Sequence, residues 1–131
     1  MKKLLILLIA IFLSCSSDDD TNNITIENLT GEWIVQSRTV NDFDIDLSEC
    51  DLKEKIIFKS NTNFTRQKSY SDNAPCSIVE EDYNYTLDDT VINIENKGTT
   101  LFYIGYVKNN NTIELVMRSD DLRSSTIFIR E

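Results

Sequence analysis

Glu80-Glu81-Asp82, set directly before Tyr83 and Tyr85, is the densest group of side chains that could do acid–base chemistry. Paired carboxylates cleave glycosidic bonds when one protonates the leaving group and the other serves as base or nucleophile. Neighbours in an extended strand point to opposite faces, so only Glu80 and Asp82 share a side. There is no histidine in the sequence, which removes the commonest general base and the Ser-His-acid triad. Asp42, Asp44 and Asp46 alternate as ligands of a hard cation do, but Phe43, Ile45 and Leu47 intervene, and the glycine that turns a calcium loop is missing. Of the cysteines, Cys15, Cys50 and Cys76, none has a histidine to act as its base, and with no histidine they make an incomplete zinc site. The residues therefore point to no catalytic group, no metal site and no cofactor.

Cys15 has a different chemistry, set by what precedes it. Lys2 and Lys3 lead into an apolar run from Leu4 to Leu13, followed by Ser14 and Cys15. The run is about ten residues long where a membrane-spanning helix needs about 20, so it has the form of an export leader. Leu13-Ser14-Cys15 resembles the cleavage box of bacterial lipoproteins, with its leucine displaced to the position next but one to the cysteine. The resemblance implies a signal peptide over residues 1–14, a lipid-carrying Cys15 and an acidic tether over 15–28, with the bilayer of the outer membrane as partner. Ser16-Ser17-Asp18-Asp19-Asp20 further resembles the acidic export tags of surface lipoproteins in Bacteroidota-type bacteria, which implies exposure at the cell surface. The same acids also suit a solvated tether, because adjacent carboxylates repel and resist packing.

The sequence carries 13 Lys and Arg against 22 Asp and Glu, a net charge of −9. Loss of Lys2 and Lys3 with the leader would leave 11 basic residues against the same 22 acids, about −11. Phosphate backbones are bound by basic patches, so nucleic acid is not an expected partner. A protein partner cannot be named from the residues.

The elements that must position any site are strands. Apolar and β-branched residues alternate with period two over Glu32–Val40, Glu54–Ser60, Asn63–Tyr70, Ile78–Leu87, Thr90–Glu95, Thr112–Arg118 and Ser124–Arg130, while Thr100–Val107 is apolar on both phases. Turn-forming stretches such as Lys59-Ser60-Asn61-Thr62 and Leu87-Asp88-Asp89-Thr90 separate them. Short connections favour an antiparallel meander, and eight such strands can close into an up-and-down β-barrel whose interior holds packed side chains or one small ligand. A β-sandwich is the alternative. Asn41–Asp51 reads as the longest irregular insertion. With Cys15 assigned to lipid and an oxidising compartment implied, Cys50 and Cys76 are expected to form a disulfide.

Leu29-Thr30-Gly31-Glu32-Trp33 resembles the opening of lipocalin-like domains, in which a Gly-x-Trp on the first strand sets an aromatic ring against the closed end of a barrel. Ile56-Ile57-Phe58, Tyr85-Thr86-Leu87, Phe128-Ile129-Arg130 and the positions of Cys50 and Cys76 extend the resemblance over nearly all of residues 29–131. It implies an eight-stranded lipocalin-like barrel, all-β, with Trp33 packed beneath Arg130 as a structural pair. The Thr-Asp-Tyr of the later turn in classical lipocalins is missing, and no helical segment follows Arg130.

A barrel of this kind is expected either to bind a small apolar ligand or to act as a solid-core module for protein or glycan partners. By strand phase, Trp33, Val35, Phe58, Tyr83, Tyr85, Tyr103, Leu115 and Met117 are the candidate ligand-lining residues; the same side chains could equally fill a core. Tyr70, Tyr106 and the Asn41–Asp51 loop are the candidates for an interaction surface.

Overall fold

In the computed structural model, which describes residues 29–70, 75–95 and 102–131, each expected strand forms. The leader, Cys15 and the tether lie outside the described residues. The strands are β1 (Gly31–Val40), β2 (Phe43–Ile45), β3 (Lys55–Phe58), β4 (Asn63–Tyr70), β5 (Ser77–Asp88), β6 (Val91–Ile94), β7 (Phe102–Asn109), β8 (Thr112–Arg118) and β9 (Arg123–Arg130). A 3-10 turn, Asp51–Lys53, precedes β3.

Each strand from β3 to β9 pairs antiparallel with the next, β1 pairs with β3, and β1 also pairs with β9 along most of its length, from Trp33 opposite Arg130 to Val40 opposite Ser124. That last pairing closes the sheet. The fold is thus an eight-stranded up-and-down barrel built from β1 and β3–β9, and the two-sheet alternative is set aside because no open edge divides the strands into layers.

Strand β2 was not legible as a strand. Asn41 and Asp42 both adopt left-handed backbone, at φ 49° and 67°, the conformation of a two-residue hairpin turn that Asn and Asp tolerate. The turn folds Phe43–Ile45 back against Arg38–Val40. All three β2 residues are exposed, so no burial alternation marks them. Asn41–Asp51 is accordingly a hairpin followed by a short loop, not one irregular insertion.

The core occupies the end of the barrel where β1 begins and β9 finishes. Leu29, Trp33, Val35, Ile56, Phe58, Phe64, Tyr85, Ile92, Val107, Ile113, Leu115 and Phe128 are buried there together. Phe58 sits within ring contact of Trp33, Phe64 and Tyr85, at centroid distances of 6.4, 5.3 and 5.2 Å. Edge and tilted geometries of this kind add to the burial of the rings. The polar tips are satisfied: Trp33 Nε1 donates to the Leu29 carbonyl at 2.9 Å and the Tyr85 hydroxyl to the Ser60 carbonyl at 2.9 Å. Gly105 faces Ile92 across β6 and β7, and a Cβ there would lie 2.9 Å from the Ile92 Cβ. The glycine lets Ile92 fill the barrel wall at a place where any side chain would collide.

Candidate functional site

Interior-facing positions change character along the barrel axis. On β4 the inward phase runs Phe64, Arg66, Lys68, from apolar to cationic, as the strand rises from the closed end. On β9 it runs back from Ser124 and Thr126 to Phe128. The register of β1 shifts between Val35 and Ser37 opposite β9. Such a bulge inserts one extra residue and reverses the facing of those after it. Trp33 and Val35 point inward as expected from the alternation, but beyond the bulge it is Arg38, not Ser37 or Thr39, that enters the barrel.

These substitutions of character open a cavity of about 410 Å³ at the end opposite the core, lined by Arg38, Asp51, Glu54, Arg66, Lys68, Ser69, Tyr70, Tyr103, Leu115, Met117, Ser124 and Thr126. Below it the barrel is filled. An apolar void among Ile56, Phe58, Phe64, Ile92 and their neighbours amounts to about 10 Å³, at the lower limit for one water molecule.

Glu54 is the hub of the cavity floor. It is 4% exposed and accepts from Arg38 Nη2 and, through Oε1, from Arg66 Nε and Nη2. Arg38 also donates from Nη1 to Asp51 at 3.1 Å and from Nε to the Thr126 hydroxyl at 3.2 Å. A buried carboxylate between two guanidinium groups avoids the large cost of an unpaired charge in low dielectric. On the facing wall Lys68 Nζ lies 2.7 Å from Glu81, and the Tyr83 hydroxyl donates to the same carboxylate. The hydrogen bond from Lys68, then that from Tyr83, holds Glu81 below its ordinary value of 4.5. Burial first, and then the bond to Glu81, pushes the Tyr83 phenol up. The Tyr103 ring is flanked by Arg66 at 5.6 Å and Lys68 at 5.8 Å, distances at which a cation is attracted to a ring face.

Of the candidate lining residues, Tyr103, Leu115 and Met117 line the cavity. Trp33, Val35, Phe58 and Tyr85 belong to the filled core, and Tyr83 packs against it. Sequence reasoning missed Arg38, Glu54, Arg66 and Lys68. For the last two a signal existed, since both share the phase of Phe64.

The acidic triplet does not converge. Glu80 accepts from Gln67 Nε2 at 2.6 Å on the outer face, and Asp82 lies beside Thr65 and Lys59 on that face, whereas Glu81 turns toward Lys68 and Tyr83. Asp42 accepts from Arg123 at 3.3 Å, and among the described residues no three potential ligands gather to hold a metal ion. Cys50 and Cys76 form a disulfide, with Cα atoms 5.5 Å apart, that fastens the turn before Asp51 to the start of β5. Arg130 stacks over the Trp33 ring at 4.8 Å.

A closed antiparallel barrel with a hydrophobic interior, a Trp-plugged end and a cavity at the other end is the architecture of lipocalin-like proteins, which is suited to small ligands and is generally noncatalytic. The chain belongs to that family: the family model described as a lipocalin-like domain matches residues 29–120. Among curated proteins the chain has no match.

Proposed function

We propose that the protein is a noncatalytic binding module, held on the outer membrane by lipid on Cys15, that takes a small ligand in the open-end cavity. The cavity itself carries this reading: about 410 Å³ lies within the roughly 300–1,000 Å³ of small-molecule sites. Tyr103, Leu115 and Met117 offer an apolar wall, and the charged floor supplies orientation. The leader of residues 1–14 and the acidic tether of 15–28 supply the anchor, and stable attachment fits a cysteine carrying several acyl chains, since a single chain binds only marginally.

Two measurements test it. Native mass spectrometry of the Cys15→Ala chain purified from its own host should show a bound small molecule, and Met117→Trp, which fills the cavity, should lose it; an adduct that survives the filling substitution would place the ligand elsewhere. The intact mass of the membrane-extracted protein should correspond to residues 15–131 plus acyl groups. A mass retaining residues 1–14 would remove the lipid anchor.

A second reading, a surface for a protein or glycan partner, has one observation in its favour. The exposed large apolar side chains Phe43, Ile45, Leu52, Tyr70, Ile78, Val79 and Leu122 all belong to segments at the open end, around the cavity mouth. Clustered exposed apolar residues mark interaction sites more often than scattered ones do. Phe43→Glu would abolish capture of such a partner and leave cavity binding intact.

A further inference from the structure

We infer that the ligand of the open-end cavity is an amphiphile with an anionic head, a carboxylate or a phosphate, seated against Arg66 and Lys68 of β4, with its apolar portion along Tyr103, Leu115 and Met117. The inference rests on the cavity being a ligand site, as proposed above, and adds the chemistry of the ligand.

Two cations on one strand carry it. Lys68 commits one contact to Glu81, which is not itself part of the lining, and an ammonium has three donors. Arg66 is 9% exposed, and among the described residues its hydrogen bonds engage Nε and Nη2 alone, both directed to Glu54 Oε1. By contrast, Nε, Nη1 and Nη2 of Arg38 each have a partner, so Arg38 serves the floor.

Each cation of the lining is ion-paired, Arg38 and Arg66 to Glu54 and Lys68 to Glu81, so the site holds an anion by the donors left over and not by excess charge. Tyr103, whose ring lies within about 6 Å of both Arg66 and Lys68, marks the boundary where the head would end and the apolar portion begin. The apolar portion is short, because the barrel below is filled.

Isothermal titration of the folded Cys15→Ala chain with dodecanoate, dodecyl phosphate and dodecanol, each below its aggregation concentration, decides it. At least one of the two anions should bind about tenfold or more tightly than the alcohol, as expected for a hydrogen bond to a charged group, and the stronger anion identifies the head. Lys68→Gln and, separately, Arg66→Gln should shrink that preference while dodecanol affinity stays the same; Lys68→Gln, at the less buried of the two positions, is the milder change and keeps the test decisive if Arg66→Gln unfolds. Dodecanol binding as tightly as both anions would overturn the anionic head and leave the binding-module reading standing. An undiminished anion preference in both folded variants would overturn its seat on β4. Binding of none of the three would overturn the inference, and an endogenous adduct in the native mass spectrum would then still preserve the broader reading.

Discussion

Arg130, the last residue of β9, lies with its guanidinium 4.8 Å above the indole of Trp33, its pairing partner at the start of β1. The ring beneath is fully buried and donates to the Leu29 carbonyl, while Arg130 Nη2 reaches the Thr30 carbonyl at 3.4 Å. One stacked pair therefore ties the entry segment, the first strand and the last strand together at the seam where the barrel closes. A cation over a partly desolvated indole contributes about 1–2 kcal/mol. Arg130→Ala should lower the stability read from Trp33 fluorescence in urea by about that amount, and Arg130→Lys should recover part of it. An unchanged midpoint for Arg130→Ala would show that the stack contributes nothing to closure.

Glu54 gives a larger expected effect. Removing its charge leaves Arg38 and Arg66 facing each other with only Asp51 to offset them. Breaking a buried pair by taking away one partner costs roughly 3–5 kcal/mol. Glu54→Gln should approach that loss, measured by chemical denaturation, and Arg66→Met in the same chain should restore part of it because the orphaned cation goes with it. Additive losses in the double variant would disprove the coupling.

The disulfide closes the segment between Cys50 and Cys76, 26 positions apart. Constraining a loop of that length stabilises by about 3–4 kcal/mol in the chain-entropy account. Cys50 also precedes Asp51, which lines the cavity. The Cys50→Ala, Cys76→Ala double variant should therefore lose both stability and cavity affinity, whereas a loss of stability alone would mean that Asp51 is held by Ser48 and Arg38 without help from the bridge.

Which parts of this arrangement the sequence discloses follows from what makes a pattern visible. Eight strands are legible because each buries alternate residues against one core and ends in turn-forming residues, and the Trp33–Arg130 and Cys50–Cys76 pairs are legible through the resemblance and the cysteine count. Arg38 is not, because a bulge leaves no mark in strict alternation: the period-two count runs straight through Gln36 and assigns Ser37 to the interior. Strand β2 is hidden because it buries nothing. Aromatic and aliphatic side chains are the expected lining of a ligand cavity, yet those at the closed end meet across the barrel and fill it. Space remains where the inward phase becomes charged, since charged groups keep water and one another at hydrogen-bonding distance instead of interpenetrating.

The same charged groups set how stability responds to acid. Glu81 is held below its ordinary 4.5 by Lys68 and Tyr83, Glu114 below 4.5 by the Ser125 hydroxyl and Lys108, and Asp51 below 3.8 by Ser48 and Arg38. Each carboxyl binds its proton less readily folded than unfolded. Their contribution is thus complete above the unfolded values and disappears as the pH falls through the lower folded ones. General repulsion in a chain of net charge −9 eases over the same range and works in the opposite direction, so the bare pH profile mixes two effects. Comparison with Glu81→Gln, Glu114→Gln and Asp51→Asn separates them. Each variant should be less stable than the parent in urea at pH 7, with the deficit constant down to about pH 5 and shrinking steadily toward pH 3, as linkage requires. A deficit that persists unchanged at pH 3 would assign the loss to packing at those positions, not to the ionised carboxylates.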